Sequence, residues 1–196
     1  MTAKRDLPLA AIARVDLLFQ GYVGERVAST VVFVRDGDVR IIIDPGMTPS
    51  PEMILAPLRA LGESPEAISD VIFSRRHPGH TLNAALFPRA RFHDERAIYQ
   101  GDAWKRRAVE GSLVSPSVRR IATPGHTPRD ITTLIGTPDG IAACTHLWRA
   151  AGEVDEEPLT DDQVALRESR LRVLSLASLI IPAHGAPFTP GQETPR

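Results

Sequence analysis

Five of the six histidines in this chain stand where an apolar run ends. His77 and His80 lie three residues apart in Ser74-Arg75-Arg76-His77-Pro78-Gly79-His80, directly after Val71-Ile72-Phe73. His126 follows Pro124-Gly125, His146 follows Cys144-Thr145, and His184 lies between Ala183 and Gly185. Neutral imidazole is a favoured ligand for zinc, iron and nickel. A Pro-Gly turn off the end of a strand bends the backbone sharply enough to aim two imidazoles at one cation. Singly, each of these residues reads equally well as a structural histidine that caps a turn or bonds a backbone carbonyl. Jointly, their placement points to metal chemistry. His93 lacks that placement and reads as incidental.

The elements that must position these residues follow from periodicity and turn chemistry. Residues 15–19 read as a first strand. Residues 29–34 and 39–43 flank Arg35-Asp36-Gly37-Asp38, a hairpin with Asp-Gly at its turn. Met53, Ile54, Leu58 and Leu61 recur at helical spacing over 51–61, and Gly62 ends that helix. Residues 71–73 form a short buried strand, a helix begins over 81–86, and 90–93 is another short strand. Residues 94–101 read as a helical turn, and 101–116 carry no clear assignment. Residues 118–122 lead into the His126 loop. Residues 131–135 and 141–145 flank Gly136-Thr137-Pro138-Asp139-Gly140, a second hairpin. An acidic loop covers 153–158. Thr160-Asp161-Asp162-Gln163 has the form of a capping box for a helix reaching about 177. Residues 179–182 are the last strand and deliver His184. Strands with a helix between them, followed by the same plan again, predict an α/β protein with two sheets sandwiched between helices.

Composition narrows the function classes. The length of 196 residues suits one domain, 1–196. A net charge of −1 argues against general nucleic-acid binding, so no nucleic acid is expected. Basic clusters at Arg75-Arg76, Lys105-Arg106-Arg107 and Arg119-Arg120 read as solvated surface. The single Cys144 excludes an internal disulfide framework. No long apolar core follows Met1-Thr2-Ala3-Lys4-Arg5-Asp6, so no signal peptide is expected, and no run reaches the ~18 apolar residues of a membrane span. The expectation is a soluble cytoplasmic protein with a small-molecule substrate, no membrane association, and an oligomeric state that the residues do not reveal.

The histidines, in this order, resemble the metallo-β-lactamase fold family of metal hydrolases. The resemblance runs from about Val31 to Phe188. It is most specific at Thr123-Pro124-Gly125-His126-Thr127-Pro128 and at Ile41-Ile42-Ile43-Asp44-Pro45-Gly46, which matches the family's early strand-Asp-x-Gly signature. It implies a four-layer αββα sandwich with the site at one edge, and metal ligands at His77, His80, His126, His146 and His184. The sequence also departs from the family pattern. In the His-x-His-x-Asp-His motif, Arg75 replaces the first His and Gly79 replaces the Asp, while His146 stands where a metal-bridging Asp is usual. One family site would use positions 75, 77 and 126, the other 79, 80 and 184, so each lacks one ligand here. A neutral imidazole has one lone pair and cannot bridge two metals. That argues for one metal, or for two linked only by a water; one metal per chain is expected, zinc first, with iron, manganese and nickel as alternatives.

Three imidazoles and a water still make a competent zinc site, because bound water reaches a pKa near ~7. His80, His146 and His184 can form such a set, with His77 and His126 nearby. His146 and Asp44 are the expected catalytic residues. Asp44 and Asp130 are candidate acceptors for imidazole N–H groups, and Asp130 reads equally as a turn residue. Cys144 fits a small buried side chain better than a thiolate ligand. Trp148 is expected near the metal, and Trp104 at a substrate mouth or in ordinary packing. Arg75 cannot ligate a cation and would repel one unless it swings away; it could hold an anionic substrate or Asp44. The implied activity is hydrolysis of a small ester, thioester or lactone-type substrate through a metal-bound water. A second reading, supported by Arg75 and Gly79, is a degenerate family member that binds a metal or an anionic ligand without turnover. A third is a phosphodiesterase or nuclease, which the short chain and balanced charge disfavour.

Overall fold

Alternation along the strands sorts their residues into layers. In β2 (Val31–Asp36) and β3 (Val39–Ile43), Val32, Val34, Ile41 and Ile43 enter one core, while Val31, Phe33 and Ile42 face another. The second core is closed by Ile54 and Leu58, both fully buried on the inner face of α1 (Glu52–Ala60). The first core is shared with a second sheet. There Ala142 and Cys144 of β11 (Gly140–Thr145) and Ile181 of β12 (Leu179–Pro182) meet the valines and isoleucines of β2 and β3. The intervening residues Ala143 and Ile180 turn the other way, onto Leu166 and Val173 of α3 (Gln163–Leu174). The outcome is helix, sheet, sheet, helix: the four-layer αββα sandwich.

The computed structural model describes residues 9–151, 160 and 162–196. One sheet orders β1 (Arg14–Phe19), β2, β3, β4 (Asp70–Ile72), β5 (Arg91–His93), β6 (Ala97–Gln100) and β7 (Ala103–Arg106). The other orders β12, β11, β10 (Ile131–Thr137), β9 (Val118–Ala122) and β8 (Ser112–Ser115). β3 runs parallel to β4, and β11 runs parallel to β12. β9 and β11 both pair antiparallel with β10, so they share a direction. The C-terminal ends of β9, β11 and β12 therefore open onto the same edge of their sheet, as those of β3 and β4 do on theirs.

Three local expectations are corrected. Residues 94–101 are not a helical turn: Ile98 and Tyr99 are β-prone, Gly101 adopts φ +59°, and a tight hairpin pairs Tyr99 with Trp104. After His80 the helix α2 (Pro78–Thr81) stops at once, followed by a 3-10 turn over Ala84–Leu86. Asn83 draws the chain away, its side chain donating to the Gly46 carbonyl at 2.5 Å and its backbone N–H to Pro45 at 2.8 Å. α3 is capped by Asp162, whose carboxylate accepts from the Ala165 N–H at 3.0 Å, and it ends at Leu174. The acidic stretch 153–158 lies outside the described residues.

Candidate metal centre

The site is built where strands of both sheets end. Asp44 follows β3 at φ +52°, a left-handed turn that short polar residues tolerate better than others. Its buried carboxylate accepts from the Ser74 N–H at 2.7 Å and the Ser74 hydroxyl at 2.6 Å. Two residues on, Gly46 is required: a Cβ there would lie 1.6 Å from the Gly79 carbonyl oxygen, to which the Met47 N–H donates at 3.0 Å. The Asp44 turn and the His80 turn are thus locked backbone to backbone.

Four buried histidines converge. His80 Nδ1 lies 3.1 Å from Asp44 Oδ2, which makes Nδ1 its donor and leaves Nε2 with the lone pair. His184 Nδ1 donates to the Ala28 carbonyl at 2.9 Å, so its Nε2 is likewise the lone-pair nitrogen. That nitrogen faces His146 Nε2 at 3.2 Å. Arg75 Nη1, which can only donate, lies 3.3 Å from the same His146 Nε2 and marks it as an acceptor. On its other edge His146 Nδ1 meets His126 Nδ1 at 3.1 Å. The ligand atoms of His80, His146 and His184 lie within 4.8 Å of one another, as do those of His126, Asp130 and His146.

Electrostatics keep three of the rings, His126, His146 and His184, neutral. Burial pushes the pKa of His126 and of His184 down to about 4. Burial first, then the neighbouring His80 and His126, hold His146 well below the ordinary imidazole range. Neutral imidazoles with fixed tautomers are what a metal requires. Two lone-pair nitrogens 3.2 Å apart repel unless a cation sits against both. Tetrahedral zinc at Zn–N distances of ~2.0–2.1 Å separates its nitrogens by about 3.3 Å. The His80–His146–His184 set therefore fits a metal ion.

Other expected site residues fall elsewhere. His77 is exposed at the cavity rim; its Nδ1 accepts from the Gly79 N–H at 3.3 Å as the cap of α2, and it joins neither ligand group. Asp130 closes the 127–130 turn, accepting from the Thr127 N–H at 3.0 Å and the Thr127 hydroxyl at 2.5 Å, while one oxygen stays 3.9 Å from Arg75 Nε. Asp44 does not line the cavity and acts on it through His80. Cys144 packs in the core between the sheets, where burial pushes its thiol far up, so it is no thiolate ligand. Trp148 is not at the mouth: it is fully buried against Phe188, with its indole N–H donating to the Pro195 carbonyl at 3.0 Å. Trp104 is exposed and stacks on Tyr99, away from the histidines. His93 is a structural residue, buried with Nε2 2.6 Å from Asp70.

A cavity of about 230 Å³ opens over the cluster, lined by the imidazoles with Arg75, Arg149, Val23 and Val27. Ser74, the Ala28 carbonyl, Arg149 and the two valines carry no sequence signal, because their roles depend on chain segments far apart in sequence.

The sequence profile of the Metallo-beta-lactamase superfamily matches residues 24–185. "Metallo-beta-lactamase domain-containing protein 1" of Xenopus laevis is 31% identical over 89% of this chain and 80% of its own length, whereas the chain spans 62% of the mouse relative of that name. A Thermotoga maritima crystal structure that carries the metallo-beta-lactamase name overlays with a TM-score of 0.72 at 25% identity, covering 91% of this chain and all of that one. AidC, a dizinc quorum-quenching lactonase solved with its product, overlays with a TM-score of 0.60 at 16% identity over 80% of this chain and 72% of its own. With the profile spanning most of the chain, the fold of its structural neighbours and four histidines, His77, His80, His126 and His184, in the family's order, this protein belongs to the metallo-β-lactamase superfamily.

Proposed function

We propose that the protein is a metal-dependent hydrolase of a small ester, thioester or lactone-type substrate, using one zinc ion per chain held by His80, His146 and His184. The observation that carries this reading is the pair of opposed lone pairs, His146 Nε2 and His184 Nε2 at 3.2 Å, with the His80 imidazole beside them. A zinc ion bound there would polarise a carbonyl oxygen and supply a nucleophilic water near neutral pH. The remaining work belongs to the chain. Asp44 and the Ala28 carbonyl fix the rings of His80 and His184 through their Nδ1–H groups. The Nδ1–H of His146 donates to His126 Nδ1, which sets the orientation of that ring too. Val23 and Val27 give the cavity an apolar lip, and its volume of about 230 Å³ suits a compact substrate. Arg75 and Arg149 offer donors to an anionic oxygen. The overlay with AidC, a lactonase, supports placing lactones among the candidate substrates.

The test is a hydrolysis screen over ester, thioester, lactone, lactam and phosphodiester probes with zinc-loaded and chelator-treated protein. Turnover of a carbonyl ester class that vanishes on chelation and in His146→Ala is expected. Arg75 in the cavity and His77 outside the ligand groups favour a second reading, in which the protein binds a metal or an anion without turnover. Zinc uptake with no turnover of any probe would establish that reading instead.

A further inference from the structure

The β6–β7 hairpin, at the edge of the seven-stranded sheet, carries an aromatic and basic face. Its register pairs Tyr99 with Trp104 and Ala97 with Arg106, so alternation puts Trp104 and Arg106 on one side. Both border a cleft of about 680 Å³, which Arg76, Glu95, Arg96 and Arg107 also line. The Tyr99 and Trp104 rings stack with centroids 6.4 Å apart and planes at 16°. The Tyr99 hydroxyl fixes its ring by donating to Asp94 at 2.9 Å and accepting from Arg76 at 2.8 Å. Tyr99 thus supports the indole, while 60% of Trp104 stays exposed.

Charge in the cleft is unevenly matched. Arg76 pairs with Asp94 and, at 3.0 Å, with Glu95. Glu95 also takes Arg96 at 3.2 Å and Arg129 at 3.8 Å, which leaves no carboxylate for the remaining arginines. Arg107 donates to the Leu113 carbonyl at 2.5 Å. Among the described residues, Arg106 makes no hydrogen bond or ion pair.

We propose that this cleft binds a flat aromatic carboxylate, its ring against Trp104 and its carboxylate on Arg106. An exposed indole offers a planar apolar surface to another ring. A guanidinium fork matches a carboxylate through two parallel bonds, and one unmatched guanidinium suits one negative charge. The site stands apart from the zinc reading, because neither Trp104 nor Arg106 lines the cavity over the histidines.

The test titrates naphthoate into the full chain, zinc-loaded and chelator-treated, by calorimetry, with naphthamide and cyclohexanecarboxylate as controls. Saturable binding is expected in both forms, about tenfold or more tighter than either control. Trp104→Ala and Arg106→Gln should each weaken it about tenfold, and Trp104→Phe should retain most of it. Both residues are exposed on an edge strand, and thermal melts verify that the variants fold. The chain has two tryptophans, so a proton–nitrogen correlation spectrum carries two indole N–H signals. Naphthoate should shift the signal that Trp104→Phe removes and leave that of Trp148, which is buried against Phe188. No binding, equal binding of either control, wild-type affinity in either weakened variant, or a response confined to zinc-loaded protein overturns the proposal.

Discussion

The seven-stranded sheet carries two buried histidine–aspartate pairs of opposite use. His93 Nε2 lies 2.6 Å from Asp70 Oδ1, and His80 Nδ1 lies 3.1 Å from Asp44 Oδ2. Asp70 also receives a two-pronged contact from Arg91, at 2.9 and 3.0 Å, so a guanidinium balances its charge on the spot. Asp44 takes its other bonds from the neutral N–H and hydroxyl of Ser74. Its charge is left for whatever His80 faces, and His80 faces two further lone-pair nitrogens. A buried carboxylate–imidazole pair is therefore a structural strut where an arginine completes it, and has charge left to serve a cation where only neutral donors do.

The strut should be the costlier pair to break. Asp70→Ala leaves a fully buried imidazole and a guanidinium without their anion, which is expected to destabilise the fold by about 3 kcal/mol. Burial raises the pKa of Asp70, and its bonds to His93, Arg91 and Ser69 more than reverse that, leaving it lowered. Its contribution is therefore full at neutral pH and is lost only as pH falls below the ordinary carboxylate range. Denaturant unfolding measures the loss, and zinc uptake by the folded fraction should be unchanged. A loss under about 1 kcal/mol would place the strut elsewhere.

Acid should act on the centre at milder pH. His126 and His184 titrate at about 4 in the folded protein and near 6.5 when unfolded. Between those values the unfolded chain binds more protons, so stability rises with pH across the window and falls on acidification. For metal-free protein the loss between pH 7.5 and 5.5 is about 1 kcal/mol per imidazole. Melting temperatures at the two pH values check this, and a flat profile contradicts neutral burial of these rings. In the same window the folded rings stay unprotonated, so zinc already bound should be retained at pH 5.5.

Asp44→Asn is the counterpart of the first substitution. Asn tolerates the left-handed backbone at φ +52° and still offers Ser74 an acceptor oxygen, so the fold should change little. The charge that supports His80 is gone, and zinc affinity should fall about 10- to 100-fold. Competition with a chromogenic chelator reads this directly. A stability loss as large as that of Asp70→Ala, with zinc affinity intact, would reverse the assignment of the two pairs.

The layers of the fold were legible because period-2 alternation at Val31–Val34, Ile41–Ile43 and Ile180–Ile181 sends neighbours to opposite cores. The positions of His80, His126, His146 and His184 at chain turns were legible for the same reason: each ends an apolar run. What each ring nitrogen faces was not. The partner of His184 is a carbonyl at Ala28, and that of Arg75 is His146, 71 residues away. Spacing also made His77 equivalent to His80, yet the start of α2 at Pro78 turns one ring outward and buries the other. Trp148 was misjudged because proximity in sequence to His146 hides a change of face just past the strand end.

Gly79→Asp should give the smallest effect and the sharpest view of the remaining asymmetry. Gly79 lines the cavity beside His80, and it does not use a left-handed backbone. A Cβ there would meet only the His77 ring, at 3.1 Å, and that exposed ring can move aside. An aspartate is thus sterically admissible and returns a carboxylate to a cavity lined by imidazoles. Zinc affinity should rise by up to about tenfold, because one anionic oxygen adds to a set already able to bind. Combined with Arg75→His, the gain should differ from the sum of the single effects, since both residues border the same cavity. If Gly79→Asp leaves affinity unchanged and the pair behaves additively, position 79 faces solvent rather than the ion. The His80–His146–His184 set would then be complete with neutral nitrogens alone.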